Sequence, residues 1–287
     1  MHFWRYSPEE YGWIDETMAS LQRDFLPPDA AAVMREAGMD CCVAVQARQK
    51  LDETRFLLDL AAQHQFIAGV VGWVDLRAAD LDEQLDELSS HRKLVGLRHI
   101  VQAEANDFLL REDFRRGVAK LERYGFAYDI LIYARQLPAA IDFAAALPAE
   151  RMVLDHLGKP DIRGGGFDAW RRDLDRLARL PHVRAKLSGL VTEAGLKAGT
   201  TEAGLTAGAP EVIHRYINAA LDSFGAERLM IGSDWPVCTV AATYSQVIDL
   251  VRSAIADRTE SERAAIMGGS ARTFWNLSLV PSVERST

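Results

Sequence analysis

The chain has 287 residues, of which 48% are hydrophobic and 26% are charged, and its formal net charge is -8. This composition is typical of a globular protein with a large core, and an acidic chain without a basic run is not expected to bind nucleic acid. No apolar run approaches the roughly 20 residues that span a bilayer, and no signal peptide is recognisable, so we expect a cytoplasmic protein with no membrane partner.

The chain begins with Met1 and His2 and continues into a segment rich in aromatic residues, among them Phe3, Trp4 and Phe25. Their spacing is too irregular for an amphipathic helix. We therefore interpret this segment as a long loop over one end of the protein, with most of its rings packed inside.

Seven short apolar runs follow, and they alternate with segments whose apolar residues recur at helical spacing. This alternation is typical of a parallel sheet with helices between the strands. The predicted strands lie near Cys41, Val70, Leu97, Ile130, Leu154, Ala185 and Ile231. The clearest helical patterns are ETRFLLDLAAQHQ, FRRGVAKLERYG, AWRRDLDRLARL, TYSQVIDLVRSAI and SERAAIMGGSARTFW.

We predict an α/β fold, a distorted (β/α)8 TIM-type barrel that occupies residues 1–287 as a single domain, since such a barrel needs roughly 250 residues. A dinucleotide-binding sheet is disfavoured because no GxGxxG motif follows the first predicted strand. No apolar run precedes Phe3, so we expect the first barrel strand to be truncated at the N-terminus, with the true start of the protein upstream of Met1.

Polar side chains recur at the same end of successive predicted strands. The last strand, in the run LMIGSDWPV, ends at Asp234, and an earlier strand ends at His156. Two other strands carry Lys186 and the pair Arg98 and His99. In an α/β barrel the active site lies at the carboxyl ends of the strands, which favours a catalytic site here. Taken alone, Asp234 could equally cap the turn that follows it.

Six motifs in chain order carry a resemblance to a known family. They are HFW, VQAR, GLRH, LDHLGKP, KLSGL and GSDWPV, which begin at His2, Val45, Gly96, Leu154, Lys186 and Gly232. Together they resemble the amidohydrolase superfamily, and more narrowly its amidohydrolase-2 branch of sugar-lactone and related lactone hydrolases. The resemblance implies a distorted barrel with hydrolysis at the carboxyl ends of the strands.

In that family the first strand ends in His-x-His, a later strand supplies another His, and the last supplies an Asp that activates water. The resemblance assigns these roles to His2 as the second His of the pair, to His156 and to Asp234, while the first His has no counterpart. The resemblance implies one divalent metal ion, with zinc as the first candidate, bound by these three side chains. Members of the branch differ in whether they need a metal. Without one, the groups left to stabilise an oxyanion are Lys186, Arg98 and His99.

Lactone hydrolysis needs a nucleophilic water, a group that polarises the carbonyl and a proton donor for the leaving ring oxygen. We predict Asp234 as the general base, with His156 and Lys186 as further catalytic residues. The predicted substrate-binding side chains are Arg48, Trp73, Arg98, His99 and Trp235.

These candidates also have structural interpretations. Arg98 could form an ion pair with Asp75 or Asp129, and Lys186 could do so with Asp155. The histidine beside Arg98 could hydrogen-bond a backbone carbonyl, and the two tryptophans could belong to the core.

The expected function is hydrolysis of a small hydroxylated sugar-acid lactone in carbohydrate catabolism, by a monomer or a homo-oligomer. One alternative is hydrolysis of a carboxylated or sulfonated muconolactone or pyrone lactone, which Arg48, Arg98 and Lys186 would suit. Another is decarboxylation by an enzyme of the same superfamily. The missing first His also leaves open a catalytically silent scaffold.

Overall fold

The computed structural model describes residues 1–196 and 208–278, and in it seven parallel strands form one curled sheet. The strands are β1 (Cys42–Val45), β2 (Ile67–Gly72), β3 (Leu94–His99), β4 (Ala127–Ile130), β5 (Met152–Leu154), β6 (Val183–Leu187) and β7 (Leu229–Ile231). Their order in the sheet is their order in the chain. All seven predicted strands are confirmed, each shorter than its apolar run, and the barrel class is confirmed as a seven-stranded half-barrel.

Both faces of the sheet are buried. Successive side chains of a strand point to opposite sides, so a strand that is buried at every position is covered on both faces. β2 and β3 are buried at every position. One face packs against the helices, and the other carries a separate apolar cluster that includes Val71, Val153 and Met230. Trp275, near the end of the described chain, belongs to this second cluster. The inside of the curl is therefore packed rather than open along its whole length.

One helix precedes β1 and the others follow the strands, and Phe274 of the last helix belongs to the second apolar cluster. The helices are α1 (Pro27–Glu36), α2 (Leu51–Gln63), α3 (Leu81–Ser89), α4 (Glu112–Val118), α5 (Leu121–Tyr124), α6 (Leu137–Ala146), α7 (Phe167–Ala178), α8 (Leu190–Glu193), α9 (Ala209–Phe224), α10 (Tyr244–Ala254), α11 (Glu260–Ala264) and α12 (Ser270–Phe274). In the part of the chain that the structure describes, no helix has the length and apolar character needed to cross a membrane.

Two predicted helices are each broken in the structure. The run FRRGVAKLERYG is divided between α4 and α5, which are separated at residues 119–120 and end at Gly125 in a left-handed conformation. The run SERAAIMGGSARTFW is divided between α11 and α12 by a π-helical turn, Ala265–Gly269, in which Gly268 leaves the helical conformation. Helical spacing alone did not reveal these breaks, because an interruption of the helix need not change the spacing of apolar residues.

The aromatic segment after His2 is largely irregular, as predicted, apart from a short 3-10 helix, Glu16–Leu21. Trp4 and Phe25 exchange two backbone hydrogen bonds of 2.9 Å, which ties the two ends of the segment together. Phe3, Trp4 and Phe25 are buried, whereas Trp13 is 40% exposed. Most of the rings therefore pack inside.

Met1 and His2 lie between the two ends of the curled sheet. The Met1 ammonium donates to the Val43 carbonyl at 3.0 Å, and the Val45 N–H donates to the Met1 carbonyl at 2.8 Å. The His2 N–H then donates to the Trp235 carbonyl at 2.7 Å, just beyond β7. Among the described residues, Met1 and His2 form the remaining part of the first strand that was expected to be truncated. They place the His2 side chain at the carboxyl edge of the sheet, beside a cavity of about 570 Å³.

Candidate active site

Three predicted site residues meet at the carboxyl edge of the sheet. His2 Nε2 lies 3.1 Å from Asp234 Oδ1, and His156 Nε2 lies 3.7 Å from the same oxygen. Their side chains are 8 to 9% exposed. Residues far apart in the chain are brought together because β5 and β7 end at the same edge as the short segment that holds His2.

The backbone that presents His156 has an uncommon conformation. His156, Leu157, Gly158 and Lys159 all have positive φ, at 54°, 51°, 71° and 48°, and so form a left-handed turn after β5. Each non-glycine residue in this region costs roughly 1–2 kcal/mol. The turn is held by the Trp170 indole N–H, which donates to the Leu157 carbonyl at 2.8 Å. Backbone strain of this kind is typical of functional sites.

Gly189 packs directly against the His156 ring and offers a test of its placement. A Cβ at Gly189 would lie 2.8 Å from His156 side-chain atoms, and the residue has a φ of 70°. If His156 is catalytic, as predicted, we expect Gly189→Ala to lower kcat/KM by about 100-fold, because a small misplacement of a catalytic group has that effect. The matched control is Gly125→Ala, since Gly125 has a φ of 68° and no atom within 4 Å of the added Cβ. Equal activity in both variants would show that the position of His156 does not matter.

The hydrogen bonds of His2 determine which of its ring nitrogens carries a proton. His2 Nδ1 lies 2.8 Å from the Val45 carbonyl, which can only accept, so Nδ1 donates. In neutral His2 the lone pair of Nε2 then faces the Asp234 carboxylate. Burial lowers the pKa of His2, although the Asp234 carboxylate opposes this. The contact is favourable only with a proton or another cation between the two groups.

Asp234 remains ionised despite its burial. Burial alone would raise the pKa of Asp234, but His156 and His2 hold it well below its usual range. Burial lowers the pKa of His156 to about 4, so this imidazole is neutral near pH 7. His156 Nδ1 lies 2.8 Å from Ser188 Oγ, which fixes the ring. The site thus presents a carboxylate that can accept a proton.

The donor atoms of the site are of the kinds that zinc accepts, namely two imidazole nitrogens and a carboxylate oxygen. Ligand atoms around tetrahedral zinc lie roughly 3.3 Å apart, given bonds of about 2.0–2.1 Å, and the contacts of His2 and His156 with Asp234 bracket that separation. As placed, however, the described residues contain no group of three or more His, Cys, Asp or Glu side chains that could hold a metal ion. Metal binding by His2, His156 and Asp234 stays a prediction.

A buried ion network lies next to this site. Arg98 Nη1 donates to Asp155 Oδ2 at 2.8 Å, and Lys186 Nζ lies 2.6 Å from Asp155 Oδ1. Lys186 also donates to Asp129. The structural interpretation of Lys186 is therefore correct for Asp155. The ion pair suggested for Arg98 was predicted with the wrong partner. Arg98 pairs with Asp155 and not with Asp75 or Asp129, and Asp129 is paired with Lys186 instead.

The four charges of this network balance one another. Burial would raise the pKa of Asp155, but Lys186 and Arg98 hold it well below its usual range. Burial raises the pKa of Asp129 to about 6, against the opposing charge of Lys186. Burial would lower the pKa of Lys186, but the two carboxylates raise it. The Lys186 ammonium is thus occupied, and a direct catalytic role for it stays a prediction.

Arg48 is held at the end of β1 by acidic side chains. It forms an ion pair with Glu10 and lies 3.6 Å from the buried Glu53, measured from Nε to Oε1. Glu53 also accepts hydrogen bonds from the N–H groups of Ala47 and Arg48 at 3.1 and 2.7 Å. Burial raises the pKa of Glu53 to about 7. Glu53 therefore anchors the loop that carries Arg48.

Three other predicted substrate-binding residues do not line the cavity beside His2, namely His99, Trp73 and Trp235. His99 Nε2 is 3.0 Å from Glu104 Oε1 and its ring stacks on Phe108 at 5.0 Å, so it points to the side of β3 opposite Arg98. Its partner is a carboxylate rather than a backbone carbonyl. Trp235 packs at 5.3 Å from a ring of the aromatic segment. The indole N–H of Trp73 is buried without a hydrogen-bond partner among the described residues.

Sequence reasoning missed several polar residues around the site. Glu53 and Glu10, which pair with Arg48, lie in none of the six motifs. Lys159 stands inside the motif LDHLGKP, and that placement was the available signal. Glu193 follows β6 at the end of α8 and had no signal in its spacing.

Parallel strands with two histidines and an ionised aspartate at their carboxyl edge define an enzyme of the α/β-barrel class. The chain belongs to a family described as "Amidohydrolase", whose sequence model matches residues 1–277. The resemblance drawn from the six motifs is thereby confirmed, as is the expectation of a hydrolase.

Two curated relatives and one solved structure cover most of the chain. An L-fucono-1,5-lactonase of Burkholderia multivorans is 46% identical over 284 residues, 96% of this chain and 94% of that protein. An L-fucono-1,5-lactonase of Burkholderia ambifaria is 33% identical over 283 residues, covering 96% and 93%. A crystal structure of a Burkholderia multivorans amidohydrolase with bound zinc is 45% identical, with a TM-score of 0.90 and coverage of 96% and 97%.

Proposed function

We propose that this protein hydrolyses the lactone of a small hydroxylated sugar acid, with L-fucono-1,5-lactone as the first candidate. The observation that carries the proposal is the ionised Asp234 carboxylate between the imidazoles of His2 and His156. The Burkholderia multivorans L-fucono-1,5-lactonase, which aligns with 96% of the chain, supports the choice of substrate.

In the proposed mechanism Asp234 removes a proton from a water molecule as its oxygen bonds to the lactone carbonyl carbon. The carbonyl electron pair moves to oxygen and then returns, which breaks the bond between the carbonyl carbon and the ring oxygen. Protonated Asp234 is the proton source for the ring oxygen as it leaves, so the product is the open hydroxy acid. His156, fixed by Ser188, and His2, fixed by Val45, hold the carboxylate in place.

A metal ion on His2, His156 and Asp234 would polarise the carbonyl or lower the pKa of water. We expect the dialysed protein to bind one zinc ion per chain in isothermal titration calorimetry. His156→Ala should weaken binding by more than tenfold, while His214→Ala, at a histidine paired with Ser253 on the helical surface, should not. Equal zinc affinity in all three proteins would place any zinc elsewhere.

The competing functions have less support from the site. A carboxylated lactone needs free cations, but Arg48 pairs with Glu10 and Glu53, and Arg98 and Lys186 share the carboxylate of Asp155. The test is a panel of aldonolactones, muconolactones and pyrone lactones, with acid release followed by a pH indicator and carbon dioxide measured in parallel. Within this panel we expect acid release from the aldonolactones and none from the carboxylated lactones. Carbon dioxide release, or turnover of carboxylated lactones only, would contradict the proposal.

A further inference from the structure

Three side chains that the mechanism does not use meet at the carboxyl edge of the sheet. Tyr133 follows β4, Lys159 follows β5 and Glu193 follows β6, so they lie at the carboxyl ends of three adjacent strands. Lys159 Nζ is 3.9 Å from Glu193 Oε1 and 5.4 Å from the centre of the Tyr133 ring. The side chains of Lys159 and Glu193 are 17% and 22% exposed. We call these three residues the rim cluster.

The rim cluster lies at the same edge of the sheet as Asp234. The strands β4, β5 and β6, which precede its three members, end at the same edge as β7, which precedes Asp234. Lys159 also belongs to the turn that begins at His156, and His156 Nε2 lies 3.7 Å from Asp234 Oδ1. The rim cluster therefore borders the space in which a substrate of Asp234 must lie.

The backbone fixes Lys159 together with the catalytic histidine. Lys159 is the last residue of the left-handed turn that begins at His156, and its N–H donates to the His156 carbonyl at 2.8 Å. Because the same turn determines both backbone positions, the Lys159 side chain starts from a fixed point next to His156. Its distance of 3.9 Å from Glu193 exceeds that of a hydrogen bond, and among the described residues it donates no hydrogen bond.

We propose that the rim cluster recognises the hydroxyl groups of the substrate, so that Lys159 donates to one hydroxyl and Glu193 accepts from a neighbouring one. An ammonium has three donors and a carboxylate only acceptors, which matches two adjacent hydroxyls, each of which can both accept and donate. The Tyr133 ring borders the pair, with the Lys159 ammonium 5.4 Å and the Arg135 guanidinium 4.6 Å from its centre. The pair has no net charge, so it suits a neutral polyol better than an anion. This inference rests on the proposed lactone hydrolysis and deepens it.

The test compares two six-membered lactones, L-fucono-1,5-lactone, which carries hydroxyls, and δ-valerolactone, which carries none. For the hydroxylated lactone, Lys159→Met and Glu193→Gln should each lower kcat/KM about tenfold or more, mainly through KM, since hydrogen bonds to charged groups have that strength. For δ-valerolactone both variants should stay within about twofold of wild type. Lys120→Met, at an exposed lysine paired with Asp82, is the control and should change neither value.

An equal fall on both lactones would overturn the inference, because it would assign Lys159 to the carbonyl rather than to the hydroxyls. Unchanged kinetics on the hydroxylated lactone would also overturn it. Absence of any lactone turnover by the wild type would instead contradict the proposed function. In that case the binding of L-fucose, a neutral polyol, is measured by calorimetry: affinity lost in Lys159→Met supports the rim cluster, and equal or absent affinity overturns it.

Discussion

Asp234→Asn is expected to lower kcat/KM for a hydroxylated lactone by about 10²- to 10⁴-fold, the usual contribution of a positioned general base. Asparagine keeps the size and one oxygen of the side chain but cannot take a proton from water. The low pKa of Asp234 means that the wild-type carboxylate is fully ionised near neutral pH, so none of its activity depends on partial protonation. The measurement is initial rates of acid release at several substrate concentrations.

The control for this variant is Asp222→Asn, the same chemical change at a side chain that is 62% exposed on α9. It should leave kcat/KM unchanged. Circular dichroism of both variants checks that the barrel has formed. A folded Asp234→Asn protein with wild-type kcat/KM would show that this carboxylate is not the base.

Lys186→Met is expected to lower the free energy of unfolding by about 3–5 kcal/mol, the usual effect of removing one partner from a buried ion pair. Arg98, Lys186, Asp129 and Asp155 together carry two positive and two negative charges, all buried. Without the ammonium, Asp129 loses its cation and the cluster keeps one uncompensated negative charge. Urea denaturation followed by circular dichroism measures the effect.

The double variant Lys186→Met with Asp129→Asn separates charge balance from packing. It restores electrical neutrality, since Arg98 and Asp155 remain paired at 2.8 Å. We therefore expect it to be more stable than Lys186→Met alone. A double variant whose loss equals the sum of the two single losses would show that these charges act independently.

The sequence allowed the sheet to be predicted well, because each strand lies within an apolar run of its own. The runs that end at His156 and Asp234 also identified two members of the site, since all parallel strands end at one edge. The breaks between α4 and α5 and between α11 and α12 were not predictable, because a helix interruption need not alter the apolar spacing.

The partners of the charged residues were harder to predict. Arg98 and Lys186 lie 88 positions apart in the chain, yet both reach Asp155, and that choice depends on how far the sheet curls. The outward direction of His99 follows from alternation along β3 once Arg98 is known to point inward. Spacing gave no sign of Glu193, because its position depends on the turn after β6 rather than on a strand.

The most direct test of the account is kcat/KM of the wild-type protein for L-fucono-1,5-lactone, with Asp234→Asn as the measure of background hydrolysis. The account predicts a kcat/KM of about 10⁴ M⁻¹s⁻¹ or more, the lower end of the usual range for an enzyme with its own substrate. Acid release by the folded wild type no faster than by Asp234→Asn would contradict lactone hydrolysis at this site.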